Sequence, residues 1–381
     1  MDELQELLDT HVAAGTVPGA VALVAHGDRV EVRTAGFADV ESGTPMAADS
    51  IFRLASITKP IVAAAVLVLI EDGVLALDDP VAKWLPELAS PKVVRTPDGP
   101  VDDLVPAVRP ITVAHLLTST AGYGFSSDFS RPAVQALFTV QKDGREPQHV
   151  PPPDEWLAAL ARIPLVHQPG EGWLYNTTSD LQGVLIARAS GRPLPEFLAE
   201  RLFEPLGMTD TGFAVPPGKL HRLTTYYRHS PGGFERADGP DGQWSHLPAF
   251  PSGAGGLVST ARDWHRFARM LLAGGEHVLS AESVRQMITD RLTPAQREGS
   301  ELFLEGQSWG YGGAVDVEPV DPWTVPGRYG WVGGTGTTAH LIPSTGTIAI
   351  LLTQVASDGP VTPESMRDFW SLANAERTLP Q

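Results

Sequence analysis

The chain has 381 residues and no cysteine. Disulfides, a thiolate nucleophile and thiolate-ligated metal sites are therefore excluded. Basic residues are scarce: 28 Lys and Arg stand against 45 Asp and Glu, a net charge of −17. That balance disfavours nucleic acid and anionic membrane surfaces as partners. Long apolar runs are also missing. The longest, Ile61 to Ile70, is far short of a membrane span. The opening Met1-Asp2-Glu3-Leu4-Gln5-Glu6 has no basic n-region followed by an apolar h-region, so a cytoplasmic protein is expected. The eleven histidines show no H-E-x-x-H or comparable ligand spacing. His26, His115, His229 and His246 read as core or loop residues, and neither a metal nor a cofactor is expected. What is present is globular: 42% hydrophobic and 19% charged, in a chain long enough for two lobes of one catalytic unit. Oligomeric state is not legible at this level.

Residues 2–14 read as an amphipathic helix. Gly19 to His26 and Arg29 to Gly36 read as β-branched strands joined at Gly27-Asp28, a hairpin. Residues 57–72 are apolar on nearly every side and read as a buried helix, with Pro60 tolerated in its first turn and Gly73 ending it. From about 74 to 250 the texture is rich in Pro and Gly. Helices are expected at 112–118, 132–140, 153–161, 179–190 and 194–203, long surface loops at 90–110 and 215–250, and no convincing strand pair. A helix then follows at 260–273. Strands are expected at Gly310 to Val317, Gly336 to Ile342 and Thr347 to Thr353, and a terminal helix at 362–376. The fold class is thus α/β (α+β): an antiparallel sheet built from both chain termini and flanked by helices, with a mostly helical insertion. The implied division is a sheet domain of 1–73 and 251–381, and an inserted domain of 74–250.

The most informative stretch is Ser56-Ile57-Thr58-Lys59. A serine three residues before a lysine at a helix start places hydroxyl and amine one turn apart on one face. Near the positive helix end, the hydroxyl can be activated and a new oxyanion stabilised. That is a Ser-Lys nucleophile rather than a Ser-His-Asp one. With only five lysines (Lys59, Lys83, Lys92, Lys142, Lys219), about 0.3 chance matches of the pattern are expected. The bland alternative is an N-capping serine and a solvated lysine.

Context decides between them. Val17-Pro18-Gly19-Ala20, Phe52-Arg53-Leu54-Ala55-Ser56-Ile57-Thr58-Lys59 and Glu71-Asp72-Gly73-Val74-Leu75-Ala76-Leu77-Asp78-Asp79-Pro80-Val81 run in a familiar order and spacing. So do Ile111 to Leu117, Glu204-Pro205-Leu206-Gly207-Met208 and Ser252 to Thr260. Together they resemble the serine β-lactamase-like family, which includes class C β-lactamases, D-amino acid peptidases and family VIII carboxylesterases, over nearly the whole chain. The resemblance implies a β-lactamase/transpeptidase-like fold with Ser56 as nucleophile, Lys59 beside it and Tyr175 as partner base. The family's second motif is Tyr-x-Asn; here Thr177 stands two after Tyr175, and a threonine lacks the two-ended amide. The third motif usually carries a cation. Aligned on the following strand, Trp331 of Trp331-Val332-Gly333-Gly334 takes that place, as in family VIII esterases. Substrate carboxylates lose a partner there, and neutral acyl esters gain an apolar face. Gly333 and Gly334 leave backbone amides unobstructed, and Gly334 N–H is expected to join Ser56 N–H as the oxyanion hole. Thr177, Trp331 and Gly333 are the expected substrate-binding residues.

The resulting expectation is a serine hydrolase acting on small-molecule esters (or amides) with small to medium acyl groups. Acyl transfer to an amine or alcohol, peptide cyclisation, β-lactamase or D-peptidase action, and a slowly acylating binding protein remain alternatives. Gly306-Gln307-Ser308-Trp309-Gly310 matches the G-x-S-x-G elbow, with Asp321 and His340 following in formal triad order. The helix an elbow needs after the serine is absent. Gly334-Thr335-Gly336-Thr337-Thr338-Ala339 mimics a dinucleotide fingerprint without its βαβ frame. Trp244, Phe250, Trp309 and Trp323 are candidates for the acyl pocket, with core packing the simpler reading.

Overall fold

The computed structural model describes residues 2–142 and 144–375. Its centre is an eight-stranded antiparallel sheet. The strands are β1 (Gly19–His26), β2 (Arg29–Asp39), β3 (Thr44–Pro45), β4 (Ser308–Trp309), β5 (Ala314–Val315), β6 (Tyr329–Gly333), β7 (Thr337–Ile342) and β8 (Thr347–Thr353). Their order across the sheet is β4-β5-β6-β7-β8-β1-β2-β3. The two ends of the chain therefore meet at the β1–β8 pair, which runs from Ala20↔Thr353 to His26↔Thr347. The described residues of 74–250 contribute no strand to this sheet.

The period-two alternation of β1 sorts its side chains to two cores. Ala20, Ala22 and Val24 join Ala349 and Leu351 under the terminal helices α1 (Glu3–Ala13) and α5 (Glu364–Ala375), against Leu4, Leu8, Phe369 and Trp370. Val21, Leu23 and Ala25 face the larger core with Ile348, Ile350 and Leu352. That core receives α2 (Lys59–Glu71) and α4 (Ala261–Leu272). Every residue of α2 from Lys59 to Leu69 is buried, so its apolar surround is satisfied on all sides. Each fully buried Val, Leu or Ile there contributes about 1.5–3 kcal/mol, which fixes the helix that carries Lys59. The inserted region supplies α3 (Thr177–Ser190), packed beside α2, and several shorter helices.

Four expectations need correction. The segment 310–317 is not one strand: β4 and β5 are short and separated by a turn. Gly312 there has φ +72, and a Cβ would stand 2.6 Å from the Lys59 carbonyl, so the backbone turns to pass α2 closely. The 90–110 loop holds a hairpin of Lys92–Val94 with Leu104–Pro106. The 215–250 loop holds another, Tyr226–Ser230 with Gly233–Asp238. Its anchor is Arg53, which is buried and donates to Asp238 at 2.6 and 3.0 Å and to the Thr224 carbonyl at 2.6 Å. The helix expected at 194–203 is α-helical only over Leu194–Leu198 and widens to a π turn at Ala199–Phe203.

Candidate active site

Ser56 sits in a 3-10 turn, Ala55–Thr58, between the short strand Phe52–Arg53 and α2. The turn is held from several directions. Leu54 N donates to Leu257 O at 2.9 Å, Trp264 Nε1 to Ile57 O at 3.2 Å and Leu257 N to Thr58 Oγ1 at 3.3 Å. Ala55, just before the serine, has φ +46. A non-glycine residue in that region stores strain that the surrounding contacts must hold.

Lys59 Nζ lies 2.8 Å from Ser56 Oγ, 2.9 Å from Asn176 Oδ1, 2.7 Å from the Ala254 carbonyl and 3.4 Å from Tyr175 OH. An ammonium has three protons to donate, and the three shorter contacts match them. Lys59 is fully buried. Burial pushes its pKa below the ordinary lysine value, opposed by the nearby Tyr175 and Asp180. Tyr175 OH donates to Ser56 Oγ at 2.7 Å, and Trp331 Nε1 donates to the Tyr175 oxygen at 2.8 Å. Tyr175 is fixed in place by paired backbone bonds with Phe125, 2.8 and 2.9 Å. Its ring stacks on Phe303, with centroids 4.7 Å apart.

The loop between β6 and β7 carries Gly333 and Gly334 to the serine. Thr335 Oγ1 donates to Arg53 O at 2.6 Å and Thr337 Oγ1 to Leu54 O at 2.7 Å. A Cβ on Gly333 would lie 2.4 Å from Leu54 O, so only glycine lets the strand come this close. Beyond it, the Gly334 amide meets no acceptor among the described residues and is open for an oxyanion.

Two cavities meet at Ser56 and Gly334. One, about 160 Å³, is walled by Tyr175, Phe303, Trp331, Val332, Val361 and Met366. The other, about 270 Å³, is more polar and touches Gln141, Lys142, Arg145, Asn176, Trp244 and Gly255. The two charged residues on its wall are both cations.

Ser56, Lys59, Tyr175, Gly333, Gly334 and Trp331 are thus gathered in one place. Thr177 is not with them. It is fully buried at the start of α3, its hydroxyl has no partner among the described residues, and it lines neither cavity. The amide that reaches Lys59 belongs to Asn176 instead. Asn176 has φ +83 and ψ −64, and Thr177 N donates to Tyr175 O at 3.2 Å across it. This is a γ-turn of the strained, positive-φ kind, and it aims adjacent side chains at one ammonium. The available signal was Asn176 itself, a residue type that tolerates positive φ. Trp331 also differs from its expected role, presenting its N–H to the phenol rather than only an apolar face. Nothing in the sequence marked Phe303.

The G-x-S-x-G serine is elsewhere. Ser308 is buried in β4, donates to Asp290 and pairs across the ladder with Val315. His340 is buried in β7 against Trp370 and bonds Thr338. Gly334 to Gly336 form the β6–β7 loop. His115 accepts from the Thr112 amide to cap a helix. Of the aromatic candidates, Trp244 borders the polar cavity, Trp309 backs Trp331 edge-on, Phe250 packs on Trp156 and Trp323 on Trp370. Among the described residues no group of three or more His, Asp or Glu is placed to hold a metal, and no helix is long and apolar enough to cross a membrane.

The family model described as Beta-lactamase matches residues 4–368. Protein Rv1367c of Mycobacterium tuberculosis is 39% identical, covering 91% of this chain and 88% of its own. Esterase EstB of Burkholderia gladioli is 33% identical, covering 93% and 91%. Among solved structures, EstCE1, a hydrolase with promiscuous acyltransferase activity, superposes with a TM-score of 0.81 at 27% identity, covering 97% of each chain.

Proposed function

The chain belongs to the β-lactamase family and is a serine hydrolase of it, and from that premise we propose that it cleaves carboxylic esters of small to medium acyl groups through a Ser56 acyl-enzyme. The observation that carries this reading is the double hold on Ser56 Oγ: Lys59 at 2.8 Å and Tyr175 at 2.7 Å, with Trp331 donating behind the phenol. The Lys59–Tyr175 pair must be one proton short before it can take the serine proton. Burial of Lys59 favours that state. Ser56 Oγ then attacks the ester carbonyl while the pair accepts its proton. The oxyanion turns to the Ser56 and Gly334 amides. The pair returns the proton to the departing alkoxide, and the alcohol leaves. Water, deprotonated by the same pair, attacks the acyl-enzyme; the bond from the acyl carbon to Ser56 Oγ breaks, the pair returns the proton to Ser56 Oγ, and the acid leaves.

The leaving oxygen must reach the Tyr175 proton, and Tyr175 lines the smaller, aromatic cavity. The alcohol is therefore assigned to that side and the acyl group to the polar cavity beside Asn176 and Gln141. Trp331 stands where a cation would meet the carboxylate of a β-lactam, which favours esters over β-lactams. The test is p-nitrophenyl butyrate hydrolysis by wild type, Ser56→Ala and Ser308→Ala side by side. Only Ser56→Ala is expected to be inactive. An active Ser56→Ala overturns the assignment.

A second reading, transfer of the acyl group to an alcohol in place of water, is favoured by the apolar lining of the alcohol side, where Phe303, Trp331 and Met366 offer a carbon skeleton an apolar wall. EstCE1 combines both activities. Product analysis with added alcohols distinguishes the two: no transfer product at high alcohol concentration rules transfer out.

A further inference from the structure

Asp180 is a fully buried carboxylate to which the mechanism above gives no task. It lies one turn beyond Asn176 in α3. Burying an unpaired charge is expensive, so its partners are informative, and each leads back to the site. Oδ1 accepts from Ser252 Oγ at 2.6 Å and from Ala254 N at 3.1 Å. Oδ2 accepts from Gln141 Nε2 at 2.8 Å. Ser252 Oγ in turn accepts from Ala254 N and Gly255 N, both at 3.2 Å. Carboxylate and hydroxyl together close the 252–255 turn. The Ala254 carbonyl on that turn is the 2.7 Å acceptor of Lys59 Nζ. Gln141 lines the cavity assigned to the acyl group.

We propose that Asp180 is a positioning residue: its ionised carboxylate holds the Ala254 carbonyl on Lys59, balances the buried ammonium, and ties the acyl-cavity wall at Gln141 to the base. The inference rests on the Ser56-Lys59-Tyr175 reading. Its partners are all donors, and Lys59 is the charged group across the turn. Lys59 for its part faces Tyr175 and Asp180. Burial opposes charge on both Asp180 and Lys59; for Asp180 it outweighs the donors and holds the carboxyl above the ordinary carboxylate range, while the donors and the attraction to Lys59 favour the ionised form. A negative charge here raises the proton affinity of Lys59, the cation that faces it. Removing it lets the pair become a base at lower pH.

Asp180→Asn removes the charge at constant shape. The Gln141 carbonyl oxygen, buried without a partner among the described residues, accepts the new amide N–H if the Gln141 amide turns over. Ser252→Ala loosens the turn and keeps the charge. Both are assayed with p-nitrophenyl butyrate across pH beside Ser56→Ala. For Asp180→Asn, the acid limb of kcat/KM is expected to move to lower pH by at least about half a unit, with a plateau about tenfold lower. For Ser252→Ala, the plateau falls severalfold and the limb stays. A folded Asp180→Asn whose limb coincides with wild type overturns the proposal. If that variant does not fold, an unchanged kcat/KM in Ser252→Ala overturns it. Activity in Ser56→Ala instead overturns the nucleophile assignment beneath it.

Discussion

Replacing Trp331 by phenylalanine isolates one atom of the mechanism. The ring stays largely filled while the indole N–H that donates to the Tyr175 oxygen at 2.8 Å is removed. As Tyr175 shares the serine proton, that donor follows the charge on the phenol oxygen. A hydrogen bond to a charged group is worth about 1.5–3 kcal/mol. The bond is already made in the resting enzyme, so its loss misplaces and weakens the base, and kcat falls about 10- to 150-fold. Trp309→Phe is the control. Trp309 is the same residue type, packs edge-on against Trp331 at 4.8 Å, and its Nε1 has no partner. It pays the same ring-shrinking penalty without losing a donor. Steady-state p-nitrophenyl butyrate kinetics and thermal unfolding are measured on both. A Trp331→Phe enzyme that folds and keeps kcat within twofold of wild type refutes the reasoning. So does an equal kcat loss in Trp309→Phe.

Other outcomes follow from single contacts. Gly333→Ala forces a methyl to 2.4 Å from Leu54 O, so the Gly334 amide is displaced and kcat falls about 100-fold or more, as for loss of an oxyanion donor; near-normal kcat contradicts the oxyanion assignment. Asn176→Gly accepts the φ of +83 but leaves Lys59 without its 2.9 Å amide partner, so kcat falls about tenfold while the unfolding temperature barely changes. Ser308→Ala keeps its activity and loses only about 0.5–1.5 kcal/mol of stability, because the exposed Asp290 carboxylate takes water in place of the lost hydroxyl. Burial lowers the His167 pKa from 6.5 to about 4. The unfolded chain then binds more protons between those values, so stability falls as pH drops from about 6.5 to 4 by at most about 3 kcal/mol; in His167→Gln, denaturant titrations show that slope reduced.

Much of the fold is legible because local pattern and burial agree. The run Ile61 to Ile70 is apolar on every side, and α2 is buried on every side. The unbroken apolar run Ala20 to Ala25 matches a strand covered on both faces. The missed elements depend on distant partners. The Tyr226–Asp238 hairpin is held by Arg53, a contact no local window contains. The break between β4 and β5 answers the close approach of Gly312 to α2, again a tertiary demand. At the site, the Ser56–Lys59 spacing is a property of one helical turn and is visible in sequence. The γ-turn at Asn176 is not, because it moves the useful amide from the position two after Tyr175 to the one beside it. The N–H of Trp331 could be weighed only once the Tyr175 oxygen was placed against it.

The most direct test of the central claim is covalent trapping. The protein is treated with a fluorophosphonate, which phosphonylates an activated serine, and the adduct is mapped by peptide mass spectrometry while esterase activity is followed. The account predicts one adduct, on Ser56, appearing in step with loss of activity and absent from Ser56→Ala. Inactivation accompanied by an adduct on Ser308, or on any residue other than Ser56, contradicts it.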